Sequence, residues 1–395
     1  MKPQSAHAPK TAVLLRHIGI GDLIWHLPYI RALAQRSCNG KITVIAAPST
    51  LADQILSCED CVEQVMLYDR NRRRGEGKGV HGGFSGMIAF ASQLRRKRFE
   101  RIYLFSSRYH HGILAWLAGI PVRSGYGRGL FQRLFLNAGP YIGSYTGPSV
   151  SQYEDAVSFA LAHGIVGGHV VPKLSLPEVN RDAGRDALAA LPRPRVALAV
   201  GSSQLGKHWG DVNYRRLVDR LRESGLSVAV IAGPSQRDRA ESISSGMAGE
   251  RHPRVVNMTD RSILDVAGIL AASDICVGND TGILNMAAAV NTPCLCILGH
   301  RPLLTHDPLI ECIEAANLSR IDPEMVMAAL QHRLVLAKGV PADTDQELPG
   351  HKSAVASMPR DEVFVGTRLE RVRGQIRRAA RCHCARSPGA QDAAV

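Results

Sequence analysis

The stretch 257–299, NMTDRSILDVAGILAASDICVGNDTGILNMAAAVNTPCLCILG, decides the fold of this chain. It alternates short apolar runs, typical of buried strands, with segments of helical periodicity. Strands are expected at 274–278 and 293–298, and helices at 262–272 and 283–290. Ser262 followed by Asp265 is close to a capping box and predicts a helix start. The alternation predicts a parallel sheet covered by helices, with ligands at the carboxyl ends of the strands.

The same rhythm extends outward over most of the 395 residues, a length that suits two domains. Further strands are expected at 11–15, 41–46, 101–105, 195–200, 226–232 and 254–258, and further helices at 23–36, 112–118, 211–224 and 235–247. A Pro- and Gly-punctuated passage at 166–194 predicts a linker between the halves. We therefore predict an α/β chain with one Rossmann-like domain over 1–175 and a second over 190–335.

The remaining segment, 340–395, is expected to be a basic tail, partly disordered or helical. Residues 360–381 have the composition of a basic amphipathic helix, which would lie on an anionic membrane surface or form a solvated tail. The net charge of +13 is concentrated in residues 351–395 of this tail and in residues 70–101. Such a positive field attracts anionic partners: nucleic acid, anionic lipid or a phosphorylated glycan. Residues 70–86 are rich in Gly and Arg and predict an exposed loop.

No apolar run approaches the length of a membrane span, and the start of the chain lacks the apolar core of a leader peptide. We therefore expect a cytoplasmic protein. The nine cysteines do not suggest a disulfide scaffold. Cys58 and Cys61 form a CxxC and Cys382 and Cys384 a second pair, but a joint metal site would require both pairs to meet, and we expect no metal.

Three loops that follow expected strands carry unusual residues. The first is GIGD (19–22), in which glycines allow close approach of a ligand and Asp22 stands at a helix N-terminus. Asp22 is equally explained there as a helix cap. The second is GSSQLGK (201–207), whose hydroxyls and lysine suit a diphosphate. The third is GNDTG (278–282), whose polar residues directly precede an apolar helix and favour a functional turn.

In order and spacing these segments resemble glycosyltransferase family 9, the ADP-heptose:lipopolysaccharide heptosyltransferases. The resemblance is carried by LLRHIGIGDLIWHLPYIRAL (14–33), FERIYLFSSRYHHGILAWLAGIPVRSGYGRG (99–129), GSSQLGKHWGDVNYRRLVDRL (201–221) and the opening stretch 257–299. It implies a GT-B fold, in which two Rossmann-like domains face each other across a cleft. It also implies an inverting transfer of a heptose or related sugar from an ADP-sugar to a lipopolysaccharide-core-type or other glycan.

The resemblance assigns residues to roles. Asp22 would be the general base. The donor would be bound by Ser202, Ser203, Lys207, Gln236, Asp280, Thr281 and Gly282, and the acceptor by Gly21, His26, Arg108 and His110. A lysine and a helix N-terminus stabilise a departing diphosphate without a metal, so no cofactor is expected. Three residues depart from the family pattern. Gln236 often is Glu there, Asn285 often is His, and Gly210, after Trp209, usually is Pro.

The implied partners are a nucleotide sugar and an anionic glycan or glycolipid acceptor, with peripheral contact at the cytoplasmic face of the inner membrane. No nucleic acid is expected on this interpretation. Two alternatives stay open: a module that binds nucleic acid or another anionic polymer through its basic segments, and a catalytically idle glycosyltransferase-like assembly subunit. ADP-heptose is the favoured donor, and another nucleotide sugar is the alternative.

Overall fold

Two β-sheets, each covered by helices, make up the part of the chain that the computed structural model describes: residues 8–16, 19–70, 79–201, 205–338 and 364–366. The strands are β1 (Thr11–Leu15), β2 (Ile42–Ala46), β3 (Val62–Leu67), β4 (Arg101–Phe105), β5 (Val122–Gly125), β6 (Arg195–Ala199), β7 (Ser227–Ile231), β8 (Val255–Asn257), β9 (Ile275–Asn279), β10 (Cys294–Ile297), β11 (Ile310–Glu314) and β12 (Phe364–Gly366). The helices are α1 (Ile20–Ala34), α2 (Ala52–Ile55), α3 (Gly83–Arg96), α4 (Tyr109–Leu117), α5 (Leu130–Arg133), α6 (Ser151–Ala162), α7 (Glu178–Ala187), α8 (Asp211–Glu223), α9 (Arg237–Ser244), α10 (Ile263–Ala271), α11 (Gly282–Ala289) and α12 (Pro323–Lys338).

The first sheet has the strand order β3-β2-β1-β4-β5, and all its neighbouring strands are parallel. The second has the order β12-β11-β10-β9-β6-β7-β8 and is parallel except for β12. The central strands β1, β7 and β9 are buried along their whole length. Helices cover both faces of each sheet, which is why these strands read as continuous apolar runs. Two doubly wound sheets confirm the predicted α/β architecture; the proposed domain boundaries stay predictions.

Most expected elements are present, with shifts at their ends. Helix α10 begins after Ser262, whose hydroxyl accepts a hydrogen bond from the Asp265 amide at 3.2 Å, so the predicted cap is confirmed. Helix α1 begins at Ile20, three residues before the predicted start. Gly19 adopts an extended conformation as the N-cap, and this places Asp22 inside the first turn rather than in a preceding loop.

Two segments differ from the sequence-based expectation. Helix α7 lies inside the passage 166–194, whose role as the linker between domains stays a prediction. Residues 364–366 of the expected helix over 360–381 instead form β12, which adds to the edge of β11. An edge strand presents unpaired backbone groups, and these favour an added strand over a helix. The rest of 360–381 lies outside the described residues, as does 71–78 of the expected loop.

Helices α7 and α10 pack backbone to backbone at two glycines. A β-carbon on Gly268 would lie 1.9 Å from the Asn180 carbonyl oxygen, and one on Gly184 would lie 2.1 Å from the Gly268 carbonyl carbon. Both obstacles are backbone atoms, so neither can move without separating the helices. The contact ties α7 to the second sheet and makes it part of that layer.

We expect Gly268→Ala to lower the free energy of unfolding by about 2–3 kcal/mol, because the added methyl forces the two helices apart. Chemical denaturation of the variant and the wild type measures the difference. The matched control is Gly168→Ala, because nothing lies within 4 Å of a β-carbon at that position. Equal stability of Gly268→Ala and Gly168→Ala would show that α7 does not pack as described.

The two sheets share one continuous core through α1 and α11. A β-carbon on Gly282 would lie 2.7 Å from the Ile20 β-carbon and 3.0 Å from the Gly21 nitrogen, so the N-termini of the two helices cross at glycines. Near this crossing the Trp25 indole N–H donates to Asn285 Oδ1 at 2.9 Å. The buried core cluster accordingly includes residues of both halves, such as Leu27 and Leu284. Among the described residues, no helix has the length and apolar character of a membrane span.

Candidate active site

The three unusual loops lie at the carboxyl ends of strands, two of them on the same sheet. GIGD follows β1 in the first sheet. Residues 205–207 follow β6, and residues 280–282 follow its direct neighbour β9. The crossing of α1 over α11 then brings the first loop to the other two. One junction between the sheets therefore collects the residues that the sequence singled out.

Asp22 caps its own helix and still has a carboxylate that faces the junction. Its Oδ2 accepts a hydrogen bond from the Gly19 amide at 3.1 Å. The cap interpretation is thus correct for one oxygen. Burial raises the pKa of Asp22 to about 6, and the Asp280 carboxylate adds to the rise, whereas the Gly19 amide, Lys207 and Arg16 lower it. Charges from both sheets therefore act on Asp22, and its pKa lies in the range that suits a general base near neutral pH.

Lys207 and Asp280 form an ion pair at this junction. The Lys207 ammonium lies 2.7 Å from Asp280 Oδ2 and donates to the Asp280 carbonyl at 3.2 Å. Arg301 adds a second cation, with its Nη2 3.5 Å from the same Oδ2. One carboxylate thus holds two cations in place, and an anionic ligand would meet both of them.

Asn279 fixes the loop that carries Asp280. Its Oδ1 accepts hydrogen bonds from the Trp209 amide at 3.1 Å and the Tyr214 hydroxyl at 2.7 Å. Its Nδ2 donates to the Ile297 carbonyl at 2.8 Å. The Lys207 loop and the Asp280 loop are therefore held by one buried amide, and a binding site built from both loops is preorganised.

The N-terminus of α11 opens at the same place. Thr281 is the N-cap, in an extended conformation, and its buried Oγ1 has no hydrogen-bond partner among the described atoms. Gly282 is the first helical residue, and no side chain there covers the free N–H groups. A helix N-terminus with uncovered N–H groups favours an anion.

Gln236 faces the end of β6 from the turn after β7. A β-carbon on Gly201 would lie 2.8 Å from Gln236 Oε1, so the glycine leaves room for this side chain. The position, one strand away from Lys207, is compatible with the predicted contact to a nucleoside. Ser202 and Ser203, also predicted to bind the donor, lie outside the described residues.

A cavity lies in the first sheet at the carboxyl ends of β1 and β2. Its polar lining comes from Arg16, Tyr68, Arg70, His110 and His111. Burial, together with Arg70, Arg108 and Arg16, lowers the pKa of His110 to about 4. His110 is therefore neutral near pH 7, and the arginines supply the positive charge. Of the predicted acceptor residues, His110 lines this cavity.

The other three predicted acceptor residues take different positions. Arg108 is exposed at the N-cap of α4, and its amide donates to Ser106 Oγ at 3.0 Å. Gly21 forms the helix crossing described above. His26 is buried beside Phe105, its Nδ1 2.6 Å from the Asp22 carbonyl oxygen, and burial lowers its pKa to about 4. This arrangement favours a role in holding the turn that carries Asp22.

Three residues at the junction escaped the sequence-based prediction. Arg16 directly follows β1 and donates to Ser107 Oγ at 3.2 Å, so the rule that ligands bind at carboxyl ends of strands could have identified it. Arg301 also follows a strand, β10, by a short loop. His306, which packs edge-on against Trp25 at 5.3 Å, carried no sequence signal.

Cys58 and Cys61 are free thiols. Cys58 Sγ donates to the Ile55 carbonyl at 3.1 Å, and burial raises the pKa of both thiols. Cys382 and Cys384 lie outside the described residues. Within the described ranges, no group of three or more His, Cys, Asp or Glu side chains could hold a metal ion.

The chain is similar to known proteins of one family. Residues 87–321, more than half of the chain, match glycosyltransferase family 9 (heptosyltransferase). Lipopolysaccharide heptosyltransferase 2 of Escherichia coli (strain K12) is 25% identical over 217 residues, which cover 52% of this chain and 61% of that protein. The chain thus spans about three fifths of the length of this relative.

Two solved structures share the fold. The chain superposes on E. coli ADP-heptose lps heptosyltransferase II with a TM-score of 0.64 at 19% identity, covering 84% of this chain and 100% of that one. It superposes on E. coli heptosyltransferase WaaC with ADP-2-deoxy-2-fluoro heptose with a TM-score of 0.61 at 20% identity, covering 82% and 99%. These similarities confirm the predicted GT-B fold. The chain belongs to glycosyltransferase family 9, the heptosyltransferase family.

Proposed function

We propose that this glycosyltransferase moves a heptose from ADP-heptose to a lipopolysaccharide-core-type acceptor with inversion at the anomeric carbon. The observation that carries the proposal is the meeting of Asp22 with the Lys207–Asp280 pair where α1 crosses α11. A single displacement needs a general base on one face of the anomeric carbon and an anion-binding site for the leaving group on the other, and two facing domains can supply them. The relatives and structures named above are heptosyltransferases, and one of them contains an ADP-heptose analogue.

The donor diphosphate is proposed to lie between Lys207, Arg301 and the N-terminus of α11. Negative charge grows on the departing diphosphate as the glycosidic bond breaks, and preorganised cations and N–H groups stabilise that charge. Asp280 has a different role in this scheme, because a carboxylate repels phosphate. Its ion pairs orient the two cations, and it is a positioning residue for Lys207. Gln236 is proposed to contact the adenosine.

Asp22 is proposed to accept the proton of the attacking hydroxyl. The acceptor approaches the anomeric carbon from the face opposite the diphosphate, so the base belongs on the first domain and the cations on the second. The Gly19 amide holds Asp22 Oδ2 and thereby orients the carboxylate. His26 fixes the backbone of the same turn through the Asp22 carbonyl.

The acceptor is proposed to enter along the cavity lined by Arg16, Arg70 and His110. The guanidinium groups of Arg16 and Arg70 line the same cavity and suit the carboxylate or phosphate groups of an anionic glycan or glycolipid. We also propose that the reaction needs neither a cofactor nor a metal ion, because Lys207, Arg301 and the α11 N-terminus supply positive charge at the leaving group. Equal turnover with and without a chelator tests this point.

We further propose a cytoplasmic location with peripheral contact at the membrane that carries the acceptor. The family assignment disfavours the alternative of a nucleic-acid-binding module. The alternative of a catalytically idle subunit is decided by turnover: purified chain supplied with ADP-heptose and a heptose-deficient core acceptor should release ADP and lengthen the acceptor by one sugar. Binding of neither substrate would support the idle subunit.

The reaction rate should depend on pH through Asp22. The base form is required, and the pKa of this carboxyl is about 6. We therefore expect kcat/KM to be constant above pH 7 and to fall by about tenfold per pH unit well below pH 6. Initial rates between pH 5 and pH 8 at subsaturating donor measure the profile. A profile that stays flat down to pH 5 would rule out Asp22 as the group that must be deprotonated.

A further inference from the structure

Large apolar side chains point into solvent from three successive helices of the first domain. We call this set the apolar face: Phe84 and Ile88 on α3, Trp116 on α4, and Leu130, Phe131 and Leu134 on and directly after α5. Leu130, Phe131 and Leu134 are exposed to 79%, 75% and 73% of their surface. Single exposed apolar residues are ordinary, whereas several on adjoining elements mark an interaction surface.

Helix α5 buries its polar residue and exposes its apolar residues. Its polar residue Gln132 is 1% exposed, while the apolar residues on either side face water. The Gln132 amide donates to the Ser106 carbonyl at 2.6 Å, and its Oε1 accepts from the Gly127 amide at 2.9 Å. Two buried hydrogen bonds therefore fix α5 in the orientation that presents its apolar side chains. This is the reverse of the usual distribution, in which apolar side chains are buried and polar ones are exposed.

The apolar face adjoins the proposed acceptor cavity. Helix α4 contacts both α3 and α5, and Trp116 packs edge-on against Phe135 at 5.8 Å between ring centroids. The Ser106 carbonyl accepts the hydrogen bond from Gln132. The Ser106 hydroxyl accepts a hydrogen bond from the Arg108 amide and lies 2.7 Å from His111 Nδ1. One residue thus connects the orientation of α5 to the lining of the cavity.

The charge around this face is positive. Residues 101–153 contain five arginines and neither Asp nor Glu. Of these, Arg108 and Arg133 are exposed, whereas Arg128 is paired with Asp155. Arg95, Arg96 and Arg98, near the end of α3, are exposed as well. An apolar surface bordered by arginines matches the boundary of a bilayer with anionic headgroups, because the side chains enter the acyl region while the guanidinium groups stay among the phosphates.

We propose that the apolar face docks the chain on an anionic bilayer, with Leu130, Phe131 and Leu134 inserted at the boundary between headgroups and acyl chains. The proposal deepens the proposed function, on which it rests for a lipid-linked acceptor: docking there would present the cavity of Arg16 and His110 to the membrane. A protein partner or a second copy of the chain would also cover apolar residues. The excess of arginine over acidic residues favours the anionic bilayer.

The test is co-sedimentation of the full chain with vesicles of phosphatidylcholine alone or mixed with phosphatidylglycerol. The variant Leu130→Ser, Phe131→Ser, Leu134→Ser is expected to bind phosphatidylglycerol vesicles at least about tenfold more weakly than the wild type. Wild-type binding should weaken in high salt and on phosphatidylcholine alone. The matched control is Val179→Ser, Val212→Ser, Met247→Ser, which removes three exposed apolar residues outside the first domain and should leave binding unchanged. Unchanged melting temperatures establish that both variants fold.

Three results would overturn the docking proposal. The first is that the wild-type chain does not co-sediment with anionic vesicles. The second is that the triple variant binds these vesicles as tightly as the wild type does. The third is a wild-type dimer that the triple variant converts to monomer, which would make the face a contact between copies. Transfer to a delipidated, water-soluble acceptor should be equal in wild type and variant. Absence of that transfer in both proteins would count against the proposed function and not against docking.

Discussion

Asp22→Asn is expected to lower kcat by about 10²–10⁴-fold, the usual contribution of a positioned general base, while the Kd for ADP-heptose changes less than about threefold. Asparagine keeps the size of the side chain and an oxygen that can accept the Gly19 amide hydrogen bond. It removes only the ability to take a proton. Single-turnover kinetics give the chemical step, and calorimetric titration gives the donor affinity.

The stability of this variant supplies its internal control. The folded pKa of Asp22, about 6, lies above the ordinary value of 3.8, so protonation favours the folded state. The charged carboxylate therefore destabilises the fold above pH 6, and this penalty disappears as the pH falls below 4. Asp22→Asn should be more stable than wild type at pH 8, by about 1–2 kcal/mol after allowance for solvent screening, and equal to it near pH 4. A stable variant with full turnover would remove Asp22 from the mechanism.

Lys207→Ala is expected to weaken donor binding by about tenfold or more and to lower kcat by a further 10²-fold or so, because in the proposed mechanism this cation meets the diphosphate in both the ground state and the transition state. Lys207→Arg should recover part of the donor affinity and part of kcat, since it keeps the charge. Lys207→Ala should also change the pH dependence of the reaction. Lys207 lowers the pKa of Asp22, so the pH midpoint of kcat/KM should move upward in Lys207→Ala.

The matched control for this variant is Arg193→Ala. Arg193 forms an ion pair with Asp274, just before β9 and therefore at the opposite end of the strand from Asp280. Its loss removes a cation from the same sheet without touching the junction, so donor affinity and pH profile should stay unchanged. If Arg193→Ala and Lys207→Ala weakened the donor equally, the effect of Lys207 would reflect net charge and not a contact.

The core of the fold was predictable because its strands are buried on both faces. Strands β1, β4, β7 and β9 read as unbroken apolar runs, and this is the signal that a central parallel strand gives. Strand β3 was missed, because it lies at the sheet edge and mixes exposed, partly buried and buried residues without a regular alternation. Helix α7 was missed because glycine in a helix normally argues for a break, whereas Gly184 is required by the close approach of α10.

The site was only partly predictable, for a related reason. Asp22, Lys207 and Asp280 each follow a strand, so local sequence identified them. The hydrogen bond between Trp25 and Asn285 joins residues 260 positions apart, and no local pattern indicates it. Arg301 reaches Asp280 from a loop with no distinguishing composition. Such contacts come from the way the two sheets meet.

In the proposed function, the loops around Lys207 and the α11 N-terminus bind ADP-heptose. Thermal denaturation of the full chain across a panel of nucleotide sugars measures this binding, because a ligand that binds only the folded state stabilises it by about 2.7 kcal/mol at a concentration of about 100 Kd. We predict that ADP-heptose raises the melting temperature of the wild type and raises that of Lys207→Ala much less. In both proteins the increase with ADP-heptose should be larger than the increase with UDP- or GDP-sugars. The proposed donor site would be contradicted if no ADP-sugar raised the melting temperature of the wild type, or if a UDP-sugar raised that of the wild type and of Lys207→Ala by the same amount.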